Sequence, residues 1–150
     1  MNNYIGVKLV QAEEMTLGAY NEYKGWTIPA DEDPNREGYR VHYSDDYVSW
    51  CPKEQFEKQN LQIECTDKIT LHDVDKFIGN PEMTKLGDKT AVAMFRLGGS
   101  FEQVETSACV DPKNYSEEIG ANNCIKRAED NAWHLLGFLL HFAKNGFSKD

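Results

Sequence analysis

Three polar residues recur at every fourth position in the last third of the chain: Asn123, Arg127 and Asn131. Residues at this spacing lie on one face of a helix. Asparagine amides recognise ribose and base edges, while a guanidinium pairs with phosphate, so the face is typical of a nucleotide site. With nearby polar, cationic and aromatic residues it forms the candidate ligand-binding set, which is Arg96, Phe101, Thr106, Ser107, Asn114, Tyr115, Asn123, Lys126, Arg127 and Asn131.

Catalytic and metal-binding motifs are missing from the sequence. The four histidines, His42, His72, His134 and His141, lie neither in an H-E-x-x-H motif nor beside a serine or cysteine nucleophile motif. There is no Walker loop and no G-x-G-x-x-G sequence. The four cysteines are separated by 14, 44 and 15 positions, without a C-x-x-C pair, and are interpreted as reduced thiols. We therefore expect a protein that is not an enzyme and holds no metal or cofactor.

The composition limits the classes of partner. Among 150 residues, 16 are Lys or Arg and 25 are Asp or Glu, which gives a net charge of −9. This charge argues against DNA or general nucleic-acid binding, which needs a basic face. A small anionic ligand is still compatible, since a few local basic groups suffice to hold it. Neither an apolar run of about 18 residues nor a secretory signal is recognisable, so no membrane partner is expected.

Charge and composition both change near Glu64–Lys68. Residues 1–66 carry six basic and twelve acidic side chains, and residues 67–150 carry ten and thirteen. The first part is rich in Tyr, Trp and turn residues, whereas the second contains a hairpin pattern and a long helical pattern. We predict an α+β fold with a small N-terminal α/β module at 1–66. A ligand-binding and oligomerisation domain is predicted at 67–150.

The N-terminal module is predicted to contain three strands and two helices. The strands are Tyr4–Val10, Tyr39–Tyr43 and Tyr47–Trp50, and the helices are Thr16–Tyr23 and Lys53–Gln59. Its many aromatic residues are consistent with a nucleic-acid stacking surface or with the core of a small domain. We favour the core, because aromatic side chains supply much of the buried area of a small domain.

The second domain is predicted to begin with a helix that Thr70 caps, followed by a β-hairpin. The strands Thr90–Leu97 and Ser100–Val110 flank Gly98-Gly99, a pair that suits a tight turn. A two-residue turn places Arg96 opposite Phe101, either as a structural cation–π pair or as a platform for a nucleobase.

A long helix is predicted to follow the hairpin and to pack with it. The helical pattern runs from Tyr115 to Lys144, with Asn114 as its cap. Within it, Trp133–Ala143 is apolar nearly all round. Because a small monomer can hardly cover such a segment, we expect it to form a subunit interface.

The sequence also resembles a known family. Ser107–Pro112, followed by Asn114, Tyr115, Glu118 and Gly120, is similar to the S-A-C-V-D-P-x-N-(F/Y)-x-x-E-x-G motif of a small phage family. That family's A-x-x-x-A-x-x-x-(I/L)-W-x-x-x-G-(Y/F)-L-L run has a counterpart here, with the Trp one place closer to the Ala. Its residues are Ala128, Ala132, Trp133, Gly137, Phe138, Leu139 and Leu140. Tyr4-Ile5-Gly6 and Gly25-Trp26 resemble an accessory module found ahead of several small phage proteins.

The resemblance carries a functional expectation, because this family includes the first type of Thoeris anti-defence protein. It implies a sponge that sequesters, without cleavage, the cyclic ADP-ribose isomers made by bacterial TIR-domain defence proteins. It further implies a hexamer built from dimers, with nucleotide pockets between protomers and a separate site for the cyclic trinucleotides of CBASS signalling. Such a protein acts in the cytoplasm of the infected bacterial host.

A second hypothesis remains open from the sequence. In it, the chain is a phage protein that inhibits a host protein through its acidic surface and takes no small ligand. The net charge of −9 is the feature that supports it.

Overall fold

The computed structural model describes residues 1–147. The chain forms two compact units, Met1–Gln62 and Ile63–Asp150, whereas the sequence places the division within Glu64–Lys68. The predicted α+β class is confirmed. Each unit contains a three-stranded antiparallel sheet, and the second unit adds a long C-terminal helix.

The first unit is a small sheet with two short helices. The Thr16 hydroxyl accepts a hydrogen bond from the Ala19 N–H and so caps the first helix, as predicted. Pro52 precedes the second helix, where its missing N–H costs nothing. In chain order the elements are β1 (Gln11–Glu14), α1 (Leu17–Lys24), β2 (Gly38–His42), β3 (Val48–Pro52) and α2 (Lys53–Gln59), with sheet order β1-β2-β3.

The predicted strand at Tyr4–Val10 is wrong, and β1 lies further along the chain at Gln11–Glu14. Strand propensity needs a neighbouring strand with which to pair. Strand β2 ends at His42, which pairs with Gln11, so residues before Gln11 have no strand beside them. All four residues of β1 are exposed, and no hydrophobic pattern marks this strand in the sequence.

The second unit packs its long helix against one face of its sheet. Its elements are α3 (Leu71–Phe77), β4 (Glu82–Leu86), β5 (Thr90–Leu97), β6 (Phe101–Ala108), a 3₁₀ turn (Pro112–Asn114) and α4 (Glu117–Asn145), with sheet order β4-β5-β6. The main core lies between β5 and α4 and contains Ala93, Phe95, Leu97, Cys124 and Ala128. A second buried cluster beside α3 contains Val74, Ala132 and Leu136.

Helix starts in this unit follow local capping rules. The Thr70 hydroxyl accepts from the Asp73 N–H while the Asp73 carboxylate accepts from the Thr70 N–H, which confirms the predicted capping box. The prediction that Asn114 caps the long helix is wrong. The cap is Ser116, whose hydroxyl accepts from the Ile119 N–H at 3.3 Å, because the 3₁₀ turn occupies the residues through Asn114.

The hairpin forms at the predicted place but in a different register. Leu97 pairs with Phe101 and Arg96 pairs with Glu102, so the loop contains three residues instead of two, and the expected pairing of Arg96 with Phe101 is wrong. Gly98 and Gly99 have φ values of 58° and 94°, which glycine adopts without strain. A slip of one residue moves each β6 side chain to the opposite face of the sheet.

The apolar segment Trp133–Ala143 is partly used inside the chain. Leu136 is only 2% exposed and lies in the second core cluster, so it is no interface residue. Trp133, Phe138 and Leu139 remain 39%, 54% and 40% exposed. These are the large apolar side chains of the segment that remain exposed and can contact another molecule.

Candidate functional site

The predicted polar face of helix α4 lies along strand β6. Asn123 Nδ2 donates to Ser107 Oγ at 3.1 Å, and Asn131 Nδ2 donates to Gln103 Oε1 at 2.6 Å. Between them, Arg127 Nη1 donates to the Thr106 carbonyl oxygen. The α4–β6 row, as we name these side chains and the Thr106 carbonyl, consists of Gln103, Thr106, Ser107, Asn123, Arg127 and Asn131.

Two periodicities produce the α4–β6 row. The four-residue spacing places the three α4 members on one helix face. Alternation along β6 places Gln103, Glu105 and Ser107 on the face of the sheet that α4 covers. The helix approaches the sheet closely at its first turns, since a Cβ on Gly120 would lie only 2.6 Å from Ala91 Cβ.

The row contains charges of both signs. Gln103 Nε2 donates to Glu105 Oε1 at 2.8 Å, so a carboxylate lies beside the amides. Cys124 lies beneath the row, and burial raises the pKa of its thiol. Arg127 acts to lower that pKa and Glu105 to raise it. The Cys124 thiol therefore stays protonated at neutral pH, and the groups available at the surface of the row are hydrogen-bond donors and acceptors.

Phe101 extends the row toward the hairpin loop. It shares the inner face of the sheet with Leu97 by register, yet 63% of its surface is exposed. An exposed ring at the end of a line of amides and a guanidinium can stack on a planar ligand. Phe101 thus belongs with the row by position, although no hydrogen bond joins them.

Arg96 lies on the other face of the sheet. Its Nη1 donates to Glu82 Oε1 at 2.6 Å. The hydrogen bond with Glu82 is the largest cause that raises the pKa of Arg96, followed by the charge of the same carboxylate. Strand register therefore separates Arg96 from the α4–β6 row.

The remaining predicted site residues also lie apart from the row. Asn114 is exposed at the end of the 3₁₀ turn. The Tyr115 ring lies beneath Lys85 Nζ at 4.2 Å from the ring centroid, in a cation–π contact. Lys126 is exposed on α4 and bonds to no residue within 1–147. The structure thus brings together Ser107, Asn123, Arg127 and Asn131, but not Arg96, Asn114, Tyr115 or Lys126. Thr106 joins them through its backbone carbonyl alone, because strand alternation places its side chain on the other face of the sheet.

Sequence reasoning missed Gln103 and Glu105, which complete the polar line along β6. The signal was available in the alternation of the strand, because both residues share the parity of Ser107. The shifted register also explains why Phe101 and Arg96 were expected on one face.

The described residues contain neither a cluster of metal ligands nor a membrane-spanning helix. Over residues 1–147 no three His, Cys, Asp or Glu side chains are grouped as ligands for a metal ion. None of the helices in that range is both long enough and apolar enough to cross a bilayer.

Comparison with known proteins gives one match. No curated protein and no solved structure matches the chain. A family model covers residues 69–143, half of the chain, which includes α3, the whole sheet of the second unit and nearly all of α4. All members of the α4–β6 row fall within the matched residues. The chain therefore belongs to the Phage protein (N4 Gp49/phage Sf6 gene 66) family.

Proposed function

We propose that this phage protein is a non-catalytic sponge that binds and sequesters a cyclic ADP-ribose-type signalling nucleotide. In this role it blocks bacterial Thoeris immunity in the cytoplasm of the infected host. The observation that carries the proposal is the α4–β6 row, which aligns three side-chain amides, a guanidinium and a hydroxyl beside the exposed ring of Phe101. The motif resemblance to the anti-defence family supports the same conclusion.

The groups of the row suit the parts of such a nucleotide. The Arg127 guanidinium offers donors in a plane and pairs with a pyrophosphate, which would otherwise be buried at a cost of several kcal/mol. Asn123, Asn131 and Ser107 offer donors and acceptors for ribose hydroxyls and base edges. Phe101 offers a ring for the adenine. The pyrophosphate is assigned to Arg127 and not to the start of α4, because Glu117 and Glu118 occupy that first turn.

Binding then requires an exchange of hydrogen bonds. In the free chain, Asn123, Arg127 and Asn131 all bond to β6. These hydrogen bonds hold the side chains near their binding positions beforehand, and a ligand replaces them with bonds to its own phosphates, ribose hydroxyls and base.

A second copy of the chain is proposed to close the site. Trp133, Phe138 and Leu139 leave apolar surface exposed on α4, and burying each such side chain contributes about 1.5–3 kcal/mol. The proposed assembly is a hexamer built from dimers, with pockets between protomers. Light scattering of the unmodified protein at micromolar concentration tests this directly, because a monomer would contradict the assembly.

Ligand release after denaturation tests the function. The protein is incubated with a panel of cyclic ADP-ribose isomers and cyclic trinucleotides, freed of unbound ligand and heated, and the released molecules are identified by mass spectrometry. We expect an unchanged cyclic ADP-ribose isomer. A linearised or hydrolysed product would show an enzyme. Absence of any captured nucleotide would favour instead the inhibition of a host protein through the acidic surface.

A further inference from the structure

The first unit contains an open cleft that the proposed nucleotide site does not use. Its volume is about 690 Å³, within the range of ligand-binding clefts. Aromatic rings provide much of the lining, together with one amide and one carboxylate. The lining residues that matter here are Tyr20, Asn21, Trp26, Glu32, Tyr47 and Trp50.

Asn21 supplies a hydrogen-bond acceptor at this cleft. The residue is only 5% exposed, and its Nδ2 donates to Glu32 Oε2 at 3.5 Å. Its Oδ1 accepts no hydrogen bond from any residue within 1–147. Within 1–147, Arg40 Nε is the one side-chain polar atom that is both sealed from solvent and without a hydrogen-bond partner. Asn21 Oδ1 also has no partner, so it must be accessible to solvent, and Asn21 lines the cleft. An accessible amide oxygen without a protein donor can accept a hydrogen bond from a ligand that carries N–H groups.

The electrostatic surroundings favour a cation. Met1–Gln62 carries six basic and eleven acidic side chains, and three of the acids are consecutive in Asp31-Glu32-Asp33. The rings already attract a cation of the chain itself. Lys24 Nζ lies 5.9 Å from the centroid of Tyr20 and 5.8 Å from that of Trp26. Lys24 is exposed at the end of α1, so a tighter cation can displace it.

We propose that this cleft binds an arginine side chain in a basic segment of a partner protein. A guanidinium is planar and carries donors only, so it stacks on aromatic rings while donating to nearby oxygens. The cleft offers these counterparts: the exposed rings of Trp26 and Tyr47, the Asn21 amide oxygen and the Glu32 carboxylate. The proposal is independent of the nucleotide site, since it rests on residues of the first unit alone.

Titration of the full chain with a blocked peptide of alternating glycine and arginine tests the proposal. Binding is followed by calorimetry and by tryptophan fluorescence, to which Trp26, Trp50 and Trp133 contribute. We expect saturable binding that is lost when citrulline replaces arginine, because citrulline keeps the shape and removes the charge. Equal binding of the citrulline peptide, or no saturable binding, would overturn the proposal.

Matched variants separate the cleft from the general acidity of the chain. Glu32→Gln should weaken binding about tenfold, because it removes a charge-assisted hydrogen bond. Glu54→Gln removes the same charge from α2, outside the cleft, and should change affinity less than about twofold. Equal losses in both variants would show only non-specific attraction and would overturn the proposal.

Substitution of Lys24 tests whether the arginine peptide competes with the Lys24 ammonium for the aromatic rings. Lys24→Met should strengthen binding of the arginine peptide about threefold, because it frees the faces of Tyr20 and Trp26. Lys58→Met, on α2, serves as the control. Unchanged or weaker binding by the Lys24→Met variant would show that the peptide does not occupy the ring surface that Lys24 covers, which contradicts the proposal. Circular dichroism verifies that each variant is folded, and all the substituted side chains are exposed.

Discussion

The two units of this chain bury their side chains in different ways. The first unit relies on aromatic contacts, such as the stacked rings of Tyr39 and Phe56 at 4.3 Å, and many of its rings stay partly accessible. The second unit has a sealed hydrophobic core in which Phe95 and Leu97 of the sheet meet Cys124 and Ala128 of the helix. Partly exposed rings are available to a ligand, whereas a sealed core leaves only its polar edge for binding.

The two proposed binding surfaces follow this difference. In the second unit the edge of the core is the α4–β6 row, whose side chains are ordered by hydrogen bonds to one another. In the first unit the rings are held by weaker contacts with cations, such as Arg40 over Tyr23 at 4.5 Å from the ring centroid. We therefore expect core substitutions to be costly in the second unit and ring truncations to be mild in the first.

The largest expected effect is in the sealed core. Leu136→Ala should lower the free energy of unfolding by about 2–5 kcal/mol, because it leaves a cavity beside Val74 and Ala132. Leu139→Ala, three residues further and 40% exposed, should cost below about 1.5 kcal/mol in the monomer. Urea denaturation measures both. Equal losses would contradict the assignment of Leu136 to the core.

Two glycines of α4 provide a sharper comparison within one helix. A Cβ on Gly120 would lie 2.6 Å from Ala91 Cβ, which cannot rotate away, whereas nothing lies within 4 Å of a Cβ on Gly137. Gly120→Ala should therefore destabilise the protein by about 1–3 kcal/mol. Gly137→Ala should stabilise the monomer by up to about 1 kcal/mol, since alanine favours the helix. Stabilisation by both variants in thermal unfolding would refute the close approach of helix and sheet.

The capping box gives the second unit a dependence on pH. Burial acts to raise the pKa of Asp73. The N–H groups of Thr70 and Glu64 donate to its carboxylate and outweigh burial, so the pKa is lowered below its ordinary value of 3.8. The carboxyl thus protonates first in the unfolded state. Its contribution to stability is present above about pH 4 and is lost as the pH falls through the folded value.

Asp73→Asn tests this dependence, because it keeps the shape of the side chain and removes its titration. We expect the variant to lose about 1–2 kcal/mol at pH 7 and to show a smaller fall in stability on acidification than the unmodified protein. Urea denaturation between pH 7 and pH 3 measures the difference. Parallel stability curves would contradict a lowered pKa for Asp73.

The smallest expected effect is in the first unit. Trp26→Ala should cost about 1 kcal/mol or less, because the ring is largely exposed and makes an edge-on contact with Tyr20 at 6.0 Å. A loss as large as that of Leu136→Ala would mean that the aromatic residues of this unit form a sealed core. The contrast between the units would then fail.

Much of this fold could be predicted from the sequence because its signals are local. The Thr70 capping box, the strands on either side of Gly98-Gly99 and the periodicity of α4 each depend on neighbouring residues. Strand β4 (Glu82–Leu86) could not be predicted, since four of its five residues are exposed and it lacks an alternating pattern. The hairpin register could not be predicted either. Ser100 belongs to the loop, and a three-residue loop resembles a two-residue loop in sequence.

The candidate site, like the fold, could be predicted only where its signals are local in the sequence. Helical spacing alone placed Asn123, Arg127 and Asn131 on one face. Strand alternation marks Gln103 as a residue on the same sheet face as Ser107, but its pairing with Asn131 and that of the Thr106 carbonyl with Arg127 depend on tertiary packing and could not be predicted. Arg96 was assigned to the site through the assumed two-residue turn, and its place beside Glu82 follows from a strand that the sequence did not reveal.

The central claim is that Arg127 binds the phosphates of a cyclic ADP-ribose-type nucleotide, and calorimetric titration of paired variants tests it most directly. Lys126 is the matched control, because it carries the same charge one position away on the outer side of α4 and is not part of the row. We expect Arg127→Gln to weaken binding about thirtyfold or more and Lys126→Gln to weaken it less than about threefold. Equal affinities of the two variants, or binding unchanged by Arg127→Gln, would contradict the account.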